Sequence, residues 1–295
     1  MREKPVVLIV DDVRMNLQSL AHALKDDYIV KIALGGLEAI KQASREPVPD
    51  LILLDVGMPE VSGHDVCKIL QGNITTVDIP IIFVTGRDSI EDEEYGLSLG
   101  AVDYITKPIR PVIVKARVKT HIALKQHRDE LKTMATRDPL TGLYNRRYLT
   151  DALRSKVARA KRHADHMSVI MMDVDNFKKI NDVHGHLVGD EVLKSIAQAI
   201  ALVARKEDIA ARFGGEEFIL VMENCSLEDA QAKAQELRQK IQLLYPRGLE
   251  VTASFGVVSL SETLNNCNLL FTAVDKALYE AKEGGRNRVV AYKEV

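Results

Sequence analysis

The sequence predicts two α/β domains in tandem: a doubly wound parallel sheet, then an α+β domain with a split βαβ pattern. Three observations lead to this fold class. Short apolar runs alternate with amphipathic helical stretches in the first half, a glycine pair separates two strand candidates in the second, and a stretch without strand signal lies between the halves. The length of 295 residues also fits two domains, since about 150 residues is typical of one.

The first half contains five strand candidates, at residues 6–10, 29–33, 51–54, 79–84 and 103–105. Amphipathic stretches between them, at residues 17–24, 37–43 and 66–70, predict helices. The strands are apolar enough to be buried on both faces, which is typical of a parallel sheet covered by helices. This half is therefore predicted to be a doubly wound, flavodoxin-like domain, whose functional crevice lies at the carboxyl ends of its strands.

No strand signal appears between residue 111 and about residue 136. A heptad seam runs through this stretch: Ile113, Arg117, Thr120, Leu124, His127, Leu131 and Met134. The seam predicts a helical connector that dimerises. Three of its members are poor core residues, so a last helix packed on its own domain is the alternative. The predicted domains are residues 1–125, with the last helix continuing as a connector to about residue 136, and residues 137–295.

The second half has a different order of elements. Strand candidates lie at residues 168–174, 209–213, 217–222, 251–260 and 289–292, and helical patterns at residues 146–163, 190–205, 227–244 and 269–282. The order βαββαβ with a tight hairpin predicts a ferredoxin-like α+β domain. Gly214 and Gly215 are expected to supply the positive φ angles of a two-residue turn.

Composition excludes several classes of protein. Apolar residues make up 46% of the chain and charged residues 28%, which is ordinary globular composition. The net charge of −2 and the lack of a helix-turn-helix pattern argue against nucleic acid as a partner. Cys67, Cys225 and Cys267 are far apart, which argues against a disulfide framework or a zinc site. The first apolar run is too short for a signal peptide or a membrane span, so we expect a soluble cytoplasmic protein without membrane association.

Charged and polar residues follow the strands of the first half: Asp11, Asp12, Asp55, Thr85 and Lys107. The fold prediction brings them to one edge of the sheet, where the three carboxylates form an oxygen site suited to Mg²⁺. A metal beside Asp55 would let this carboxylate attack a phosphoryl donor. Thr85 and Lys107 can then bind the phosphoryl oxygens. A cis bond between Lys107 and Pro108 would aim the lysine at them.

Residues 53–59 (LLDVGMP) and 104–108 (YITKP) resemble the receiver domain of bacterial two-component response regulators, over roughly residues 4–125. The resemblance implies that a cognate sensor histidine kinase phosphorylates Asp55. It implies Mg²⁺ bound by Asp12, Asp55 and the carbonyl group of Gly57. The residues that switch the domain are then Asp11, Asp12, Thr85, Tyr104 and Lys107.

Acidic residues also flank the strands of the second half. Asp173 and Asp175 end the first strand, while Glu216 and Glu217 begin the third. These strands are antiparallel neighbours in a split βαβ fold, so the carboxylates meet in a site that can hold Mg²⁺ and phosphates.

The residues around these acids suit a guanine nucleotide. Loop amides of residues 174–182 and Lys178 can cradle phosphates. Asn181 and Asp190 offer the donor and acceptor pattern that distinguishes guanine from adenine. Lys282 and Arg286 add positive charge near a helix C-terminus, where pairing with the helix dipole is the alternative.

The signature GGEEF at residues 214–218 and the leader DPLTGLYNR at residues 138–146 resemble the GGDEF family of diguanylate cyclases, over roughly residues 136–293. Glu216 replaces the aspartate usual in that family. The resemblance implies a dimeric enzyme that makes cyclic di-GMP and pyrophosphate from two GTP. It implies Mg²⁺ bound by Asp173, the Val174 carbonyl and Glu216.

The implied phosphate contacts are Phe177, Lys178, Lys282 and Arg286, and the implied guanine contacts are Asn181 and Asp190. Either Glu216 or Glu217 could accept the proton.

Arg205 and Asp208 match the position of the product-binding inhibitory site of that family, five residues before the glycine pair. The second R-x-x-D sequence, at Arg162 and Asp165, is interpreted as a charged helix end. The rival interpretation of the chain is a catalytically inactive receptor for cyclic di-GMP. The intact acids, Lys178, Asn181 and Asp190 argue against it.

Overall fold

A computed structural model of the chain describes residues 4–86 and 90–293. The chain divides into two compact units, with the boundary between Leu131 and Lys132. Among the described residues, no helix is long and apolar enough to cross a membrane.

The first unit is a five-stranded parallel sheet covered by helices. Its elements are β1 (Val6–Val10), α1 (Arg14–Leu24), β2 (Ile29–Ala33), α2 (Gly36–Ala43), β3 (Leu51–Asp55), α3 (Gly63–Gln71), β4 (Ile81–Thr85), α4 (Ile90–Ser98), β5 (Asp103–Thr106) and α5 (Pro111–Thr136). The strand order is β2-β1-β3-β4-β5, with every neighbouring pair parallel. One apolar cluster packs on each face of the sheet, which confirms the doubly wound fold.

Helix α5 has two apolar stripes, one buried and one exposed. Val114, Val118 and Ile122 are buried against the sheet, as the alternative interpretation of a last helix packed on its own domain requires. The later seam residues are exposed, with Leu124 at 58%, Leu131 at 67% and Met134 at 77%. The helix therefore uses one stripe for its own domain and leaves most of the heptad seam at the surface.

The second unit is a mixed sheet with helices on both faces. Its elements are α6 (Arg146–His163), β6 (Met167–Val174), α7 (Phe177–His184), α8 (His186–Val203), β7 (Ile209–Arg212), β8 (Glu217–Glu223), α9 (Leu227–Gln242), β9 (Ala253–Ser259), α10 (Cys267–Glu283) and β10 (Val289–Ala291). The order is β10-β9-β6-β8-β7, in which β10 is parallel to β9 and the other pairs are antiparallel. The ferredoxin-like prediction is confirmed, and β10 extends it by one strand.

Two local predictions in this unit are wrong. Residues 177–184 form α7 rather than a loop, and Gly185, with φ of 84°, separates α7 from α8. The connection between β7 and β8 has four residues instead of two, and neither Gly214 nor Gly215 has a positive φ. The backbone N–H of Phe213 closes this longer loop by donating to the Glu217 carbonyl at 2.8 Å. A wider loop does not need the left-handed conformations of a two-residue turn.

Candidate functional site

The first acidic cluster lies at the carboxyl edge of the parallel sheet. Oxygen atoms of Asp11, Asp12 and Asp55 lie within 4.8 Å of one another. Asp11 and Asp55 are buried, whereas Asp12 is half-buried. Three hard oxygen ligands in this arrangement fit Mg²⁺. The structure thus brings together the three carboxylates that the sequence predicted to meet.

Lys107 joins two of these carboxylates. Its Nζ lies 2.9 Å from Asp55 Oδ1 and 3.0 Å from Asp11 Oδ2. Burial raises the pKa of the Asp55 carboxyl, the Lys107 hydrogen bond lowers it, and the Asp11 charge raises it again, so the net direction is upward. The Lys107–Pro108 bond is cis, as the sequence suggested.

Two residues that the sequence did not single out shape this cluster. Asn16 Nδ2 donates to both carboxylate oxygens of Asp11, at 3.0 Å each. A Cβ atom on Gly63 would lie 2.2 Å from the Asp55 carbonyl oxygen, so only glycine allows α3 to begin this close to the end of β3. Both effects arise from packing of helices on strand ends, which no motif reports.

Thr85 and Tyr104 occupy neighbouring strands beside the cluster. Thr85 is buried at the end of β4, and Tyr104 of β5 pairs with Phe83 of β4. The guanidinium of Arg117 lies 5.8 Å from the Tyr104 ring centroid and also contacts Asp103. Tyr104 therefore sits between the strand end that carries Thr85 and the first turns of α5.

The second acidic cluster forms where β6 meets β8. Asp173 pairs directly with Glu217, so the two side chains lie on the same face of the sheet. The Val174 N–H donates to the Glu216 carbonyl at 3.3 Å. The antiparallel register therefore brings both glutamates beside Asp173, as predicted.

Lys282, in the last turn of α10, lies 2.8 Å from Asp173 Oδ2 through its Nζ. Burial raises the pKa of Asp173, and the Lys282 hydrogen bond lowers it only in part. Burial likewise raises the pKa of Glu216 and of Glu217, and the Asp173 charge adds to both shifts. Two carboxylates and the Val174 carbonyl are a hard-oxygen donor set, which fits a divalent cation.

The loop that carries Glu216 is tied to the segment before α6. Arg212 donates through Nη2 to the Gly215 carbonyl at 2.7 Å and through Nη1 to Asp138 Oδ1 at 3.2 Å. Asp138 also accepts from the Thr141 hydroxyl at 2.7 Å. Asp138 belongs to the leader motif of the sequence analysis, whereas Arg212, at the end of β7, was not singled out by the sequence.

Helix α7 carries three of the predicted phosphate and guanine contacts, Phe177, Lys178 and Asn181. The Phe177 side chain is buried in the core, so its backbone amide is the group that can face a phosphate, whereas Lys178 is exposed. Asn181 Oδ1 is a buried acceptor without a hydrogen-bond partner. A Cβ on Gly189 would lie 2.0 Å from this oxygen, and Asp190 follows next on α8. Asn181 and Asp190 are therefore close in the fold.

Arg205 and Asp208 lie in the turn between α8 and β7 and not on a helix end, because α8 ends at Val203. The Asp208 carboxylate points inward, where Oδ2 accepts from the Arg205 N–H at 2.8 Å. Lys233 Nζ lies 3.9 Å from the same oxygen. Arg205 is exposed, and these residues line a cavity of about 320 Å³.

Comparisons with known families agree with both motifs. Residues 135–288 match the family described as diguanylate cyclase, GGDEF domain, and residues 7–119 match the response regulator receiver domain. The first match covers just over half of the chain.

Relatives of known name share one or both regions. The response regulator PleD of Caulobacter vibrioides (strain NA1000 / CB15N) is 34% identical over 297 residues, which cover 96% of this chain and 65% of PleD. The probable diguanylate cyclase DgcC of Escherichia coli (strain K12) is 35% identical over 271 residues, covering 90% of this chain and 71% of DgcC. The chain thus spans less than two thirds of the length of PleD.

A solved structure resembles the second unit. The coiled coil and GGDEF domain of DgcB from Caulobacter crescentus, in complex with c-di-GMP, has a TM-score of 0.55 at 30% sequence identity. The match covers 60% of this chain and 98% of that one.

Proposed function

The chain belongs to the GGDEF family of diguanylate cyclases and carries a response regulator receiver domain, and on this premise we propose that it condenses two GTP into cyclic di-GMP and two pyrophosphates. One observation carries the proposal: the register of β6 and β8 pairs Asp173 with Glu217 and brings Glu216 beside them, with Lys282 on Asp173. Acids and a lysine at the ends of neighbouring strands suit a nucleoside triphosphate and its metal.

Asp173, Glu216 and the Val174 carbonyl would hold Mg²⁺, which offsets phosphate charge when bound. Because Asn181 Oδ1 is buried against Gly189, the amide nitrogen of Asn181 is the group that can donate to O6 or N7 on the guanine edge. Asp190 can accept from the same edge. The Phe177 amide, Lys178, Lys282 and Arg286 are the proposed phosphate contacts.

In the reaction, the 3′-hydroxyl oxygen of one nucleotide attacks the α-phosphorus of the other, and pyrophosphate leaves. Glu216 or Glu217 accepts the hydroxyl proton. Burial and the Asp173 charge raise the pKa of both glutamates, whereas a bound Mg²⁺ would lower it for the glutamate that binds the metal. The second unit of one chain binds one GTP and is therefore a half-site. The half-sites of two chains must face each other for both bonds to form.

The test is product analysis. Purified full-length chain with GTP and Mg²⁺ should yield cyclic di-GMP and pyrophosphate, which ion-exchange chromatography separates from GTP. A chain that binds cyclic di-GMP but leaves GTP intact would instead be an inactive receptor.

We propose that phosphorylation of Asp55 by a sensor histidine kinase controls this activity. Asp12, Asp55 and the Gly57 carbonyl would hold Mg²⁺ at the receiver, beside Asp11. The support is the convergence of the Asp11 and Asp12 carboxylates and Lys107 on the buried Asp55, the proposed nucleophile. A phosphoryl group adds about −1.5 to −2 charges, which Lys107 and Thr85 can bind, and Tyr104 links this edge to α5.

The proposed active state is a homodimer assembled through the seam of α5. The exposure of Leu124, Leu131 and Met134 supports this, since apolar side chains at heptad spacing pack well against a second copy. DgcB, the similar structure, contains a coiled coil next to its GGDEF domain.

Feedback inhibition by cyclic di-GMP is proposed at Arg205 and Asp208. The exposed Arg205 guanidinium can bind a guanine edge or a phosphate. Because Asp208 accepts the Arg205 N–H and is almost fully buried, its contribution is to hold the turn that presents Arg205.

A further inference from the structure

The turn between α10 and β10 has an unusual backbone. Three consecutive residues have positive φ: Gly285 at 115°, Arg286 at 61° and Asn287 at 44°. Glycine adopts this region freely, but two successive side-chain-bearing residues rarely do. Such a conformation persists where surrounding contacts enforce it, and it often occurs at functional sites.

Asp175 provides one of these contacts, beside the bond that the Arg286 N–H donates to the Ala281 carbonyl at 3.1 Å. Its Oδ2 accepts from the Asn287 backbone N–H at 3.0 Å and from the Thr252 hydroxyl at 2.7 Å. Its Oδ1 accepts from the Ser254 hydroxyl at 2.6 Å. The carboxylate is buried, and both oxygens are occupied by donors from the same unit. Asp175 is therefore engaged in holding the turn and is not oriented to bind a ligand.

The other side of the turn is held by α9. Arg238 Nη1 donates to Asn287 Oδ1 at 2.8 Å and to Gln242 Oε1 at 3.0 Å. The Asn287 backbone and side chain are thus fixed by two separate elements. Arg286, the residue before it, keeps an exposed side chain.

The turn lies close to the strand-end acids. Lys282, four residues before Arg286, contacts Asp173, and Arg286 is close enough for its charge to offset a small part of the rise in the pKa of Asp173 that burial causes. Asp175 follows Asp173 by two residues. One short segment thus carries the proposed metal ligand Asp173 and also Asp175, which accepts from the backbone of the residue after Arg286.

We propose that Asp175, acting through the Asn287 N–H, is a positioning residue that aims Arg286 at the phosphates of bound GTP. The inference rests on the proposed function, in which Arg286 contacts those phosphates. Asp175 touches neither substrate nor metal in this role. Its effect is to hold a guanidinium in place before the nucleotide arrives, which lowers the entropy lost on binding.

The experiment measures KM and kcat for GTP with Mg²⁺ in the full-length chain. Asp175→Ala should raise KM roughly tenfold with a smaller change in kcat, because GTP binding is weakened. Asp175→Asn keeps an acceptor for Asn287 and a partner for Ser254, so its KM should rise by only about threefold. Asn287→Gly retains both the N–H and the left-handed backbone, whereas Asn287→Ala strains it, so the alanine variant should have the higher KM.

A double-substitution cycle separates positioning from general loss of structure. In an Arg286→Ala background, Asp175→Ala should change KM by less than about twofold, because the group that it positions is gone. Asn224→Ala is the matched control for Asn287→Ala. Asn224 is exposed and also has a left-handed backbone, with φ of 49°, but it follows the end of β8 that is far from the acids. Its KM should equal that of the parent.

The positioning role would be overturned if Asp175→Ala raised KM by the same factor in the parent and in the Arg286→Ala background. It would also be overturned if Asp175→Ala folded and kept the parental KM. Turnover by the parent chain tests the proposed function separately. A parent that leaves GTP intact would overturn that function and the positioning role that depends on it.

Discussion

The first acidic cluster, in the parallel sheet, and the second acidic cluster, where β6 meets β8, both place carboxylates at the ends of buried strands, but a lysine engages them differently in each. In the first, oxygens of Asp11, Asp12 and Asp55 lie within 4.8 Å, and Lys107 bridges two of them. In the second, Lys282 pairs with Asp173, while Glu216 and Glu217 stay half-exposed. Among the side chains of residues 4–86 and 94–293, the first cluster is the one group of three acidic, histidine or cysteine residues whose ligand atoms lie this close together.

This difference follows from what each cluster is proposed to do. A receiver completes its chemistry on one copy of the chain, so its carboxylates can be fully assembled beforehand. A cyclase half-site must admit a large nucleotide and face a second half-site, so part of it stays open. The comparison predicts that substitutions in the second cluster remove turnover and that substitutions in the first change only its control.

The largest effect is expected for Asp173→Ala. Removal of this carboxylate eliminates a proposed metal ligand and leaves Lys282 unpaired, so turnover of GTP should fall at least about a thousandfold. Cyclic di-GMP formation by purified protein is the measurement. Glu228→Ala, at an exposed acid in the first turn of α9, should keep parental turnover. Near-parental activity in Asp173→Ala would show that the catalytic centre lies elsewhere.

Asp55→Asn should separate control from chemistry. Asparagine cannot accept a phosphoryl group. The ratio of turnover with acetyl phosphate to turnover without it should therefore fall to about one, while basal turnover persists. Turnover of parent and variant is compared with and without acetyl phosphate. Asp65→Asn, at an exposed acid on α3, is the control that should keep the stimulation. Equal stimulation of Asp55→Asn and parent would contradict the assignment of the phosphoacceptor.

Leu124→Glu should weaken the active dimer about tenfold or more, since charge at a heptad seam opposes its packing. The buried stripe at Val114, Val118 and Ile122 is untouched, so the receiver should keep its stability. Sedimentation of acetyl-phosphate-treated protein over a concentration series gives the dimer dissociation constant. Gln126→Glu, exposed on the same helix outside the seam, is the charge-matched control. Identical constants for the two variants would rule out the seam as the interface.

Protonation of the half-exposed Glu216 and Glu217 should reduce kcat/KM at a higher pH than protonation of an ordinary glutamate would. Because burial and the Asp173 charge raise the pKa of Glu216 and Glu217, their protonation sets in above pH 4.5, the usual value for glutamate. The carboxylate forms bind metal and accept the proton, so kcat/KM should decline on acidification before that pH is reached. A pH–rate profile at a subsaturating Mg²⁺ concentration checks this, because bound Mg²⁺ would itself lower these pKa values. A rate that is flat down to pH 4.5 would contradict the raised values.

The smallest effect on the initial rate is expected for Arg205→Ala, within about twofold of the parent, because Arg205 lies outside the half-site. Synthesis should nevertheless continue to higher product concentrations than in the parent. Progress curves with excess GTP make the comparison, and Lys206→Ala, at the next exposed position, is the control. Curves that level off at the same product concentration in both variants would exclude a regulatory role for Arg205.

Local patterns predicted most of the fold. The strands β1 and β2 begin and end where the apolar runs do, and α6 has the same bounds as its helical pattern. These elements were predictable because the spacing of apolar residues depends only on neighbouring positions in the sequence. Helix α7 was missed because its eight residues are mostly polar and too few for a clear period. The hairpin was predicted too tight, since a glycine pair alone does not set loop length.

The sequence by itself determined the order of strands and helices and the chemical identity of the strand-end residues, because both depend on short stretches of chain. The sequence also predicted that the strand-end acids meet, whereas the tertiary structure alone decided which hydrogen bonds these residues form and which of them turn inward. Lys107 reaches Asp11 across 96 positions of sequence, and Asn287 reaches Asp175 across 112. Likewise Asp208 looked like a ligand contact but is nearly fully buried as the cap of its own turn. Burial and long-range hydrogen bonds follow from the packing of distant elements, which no local motif encodes.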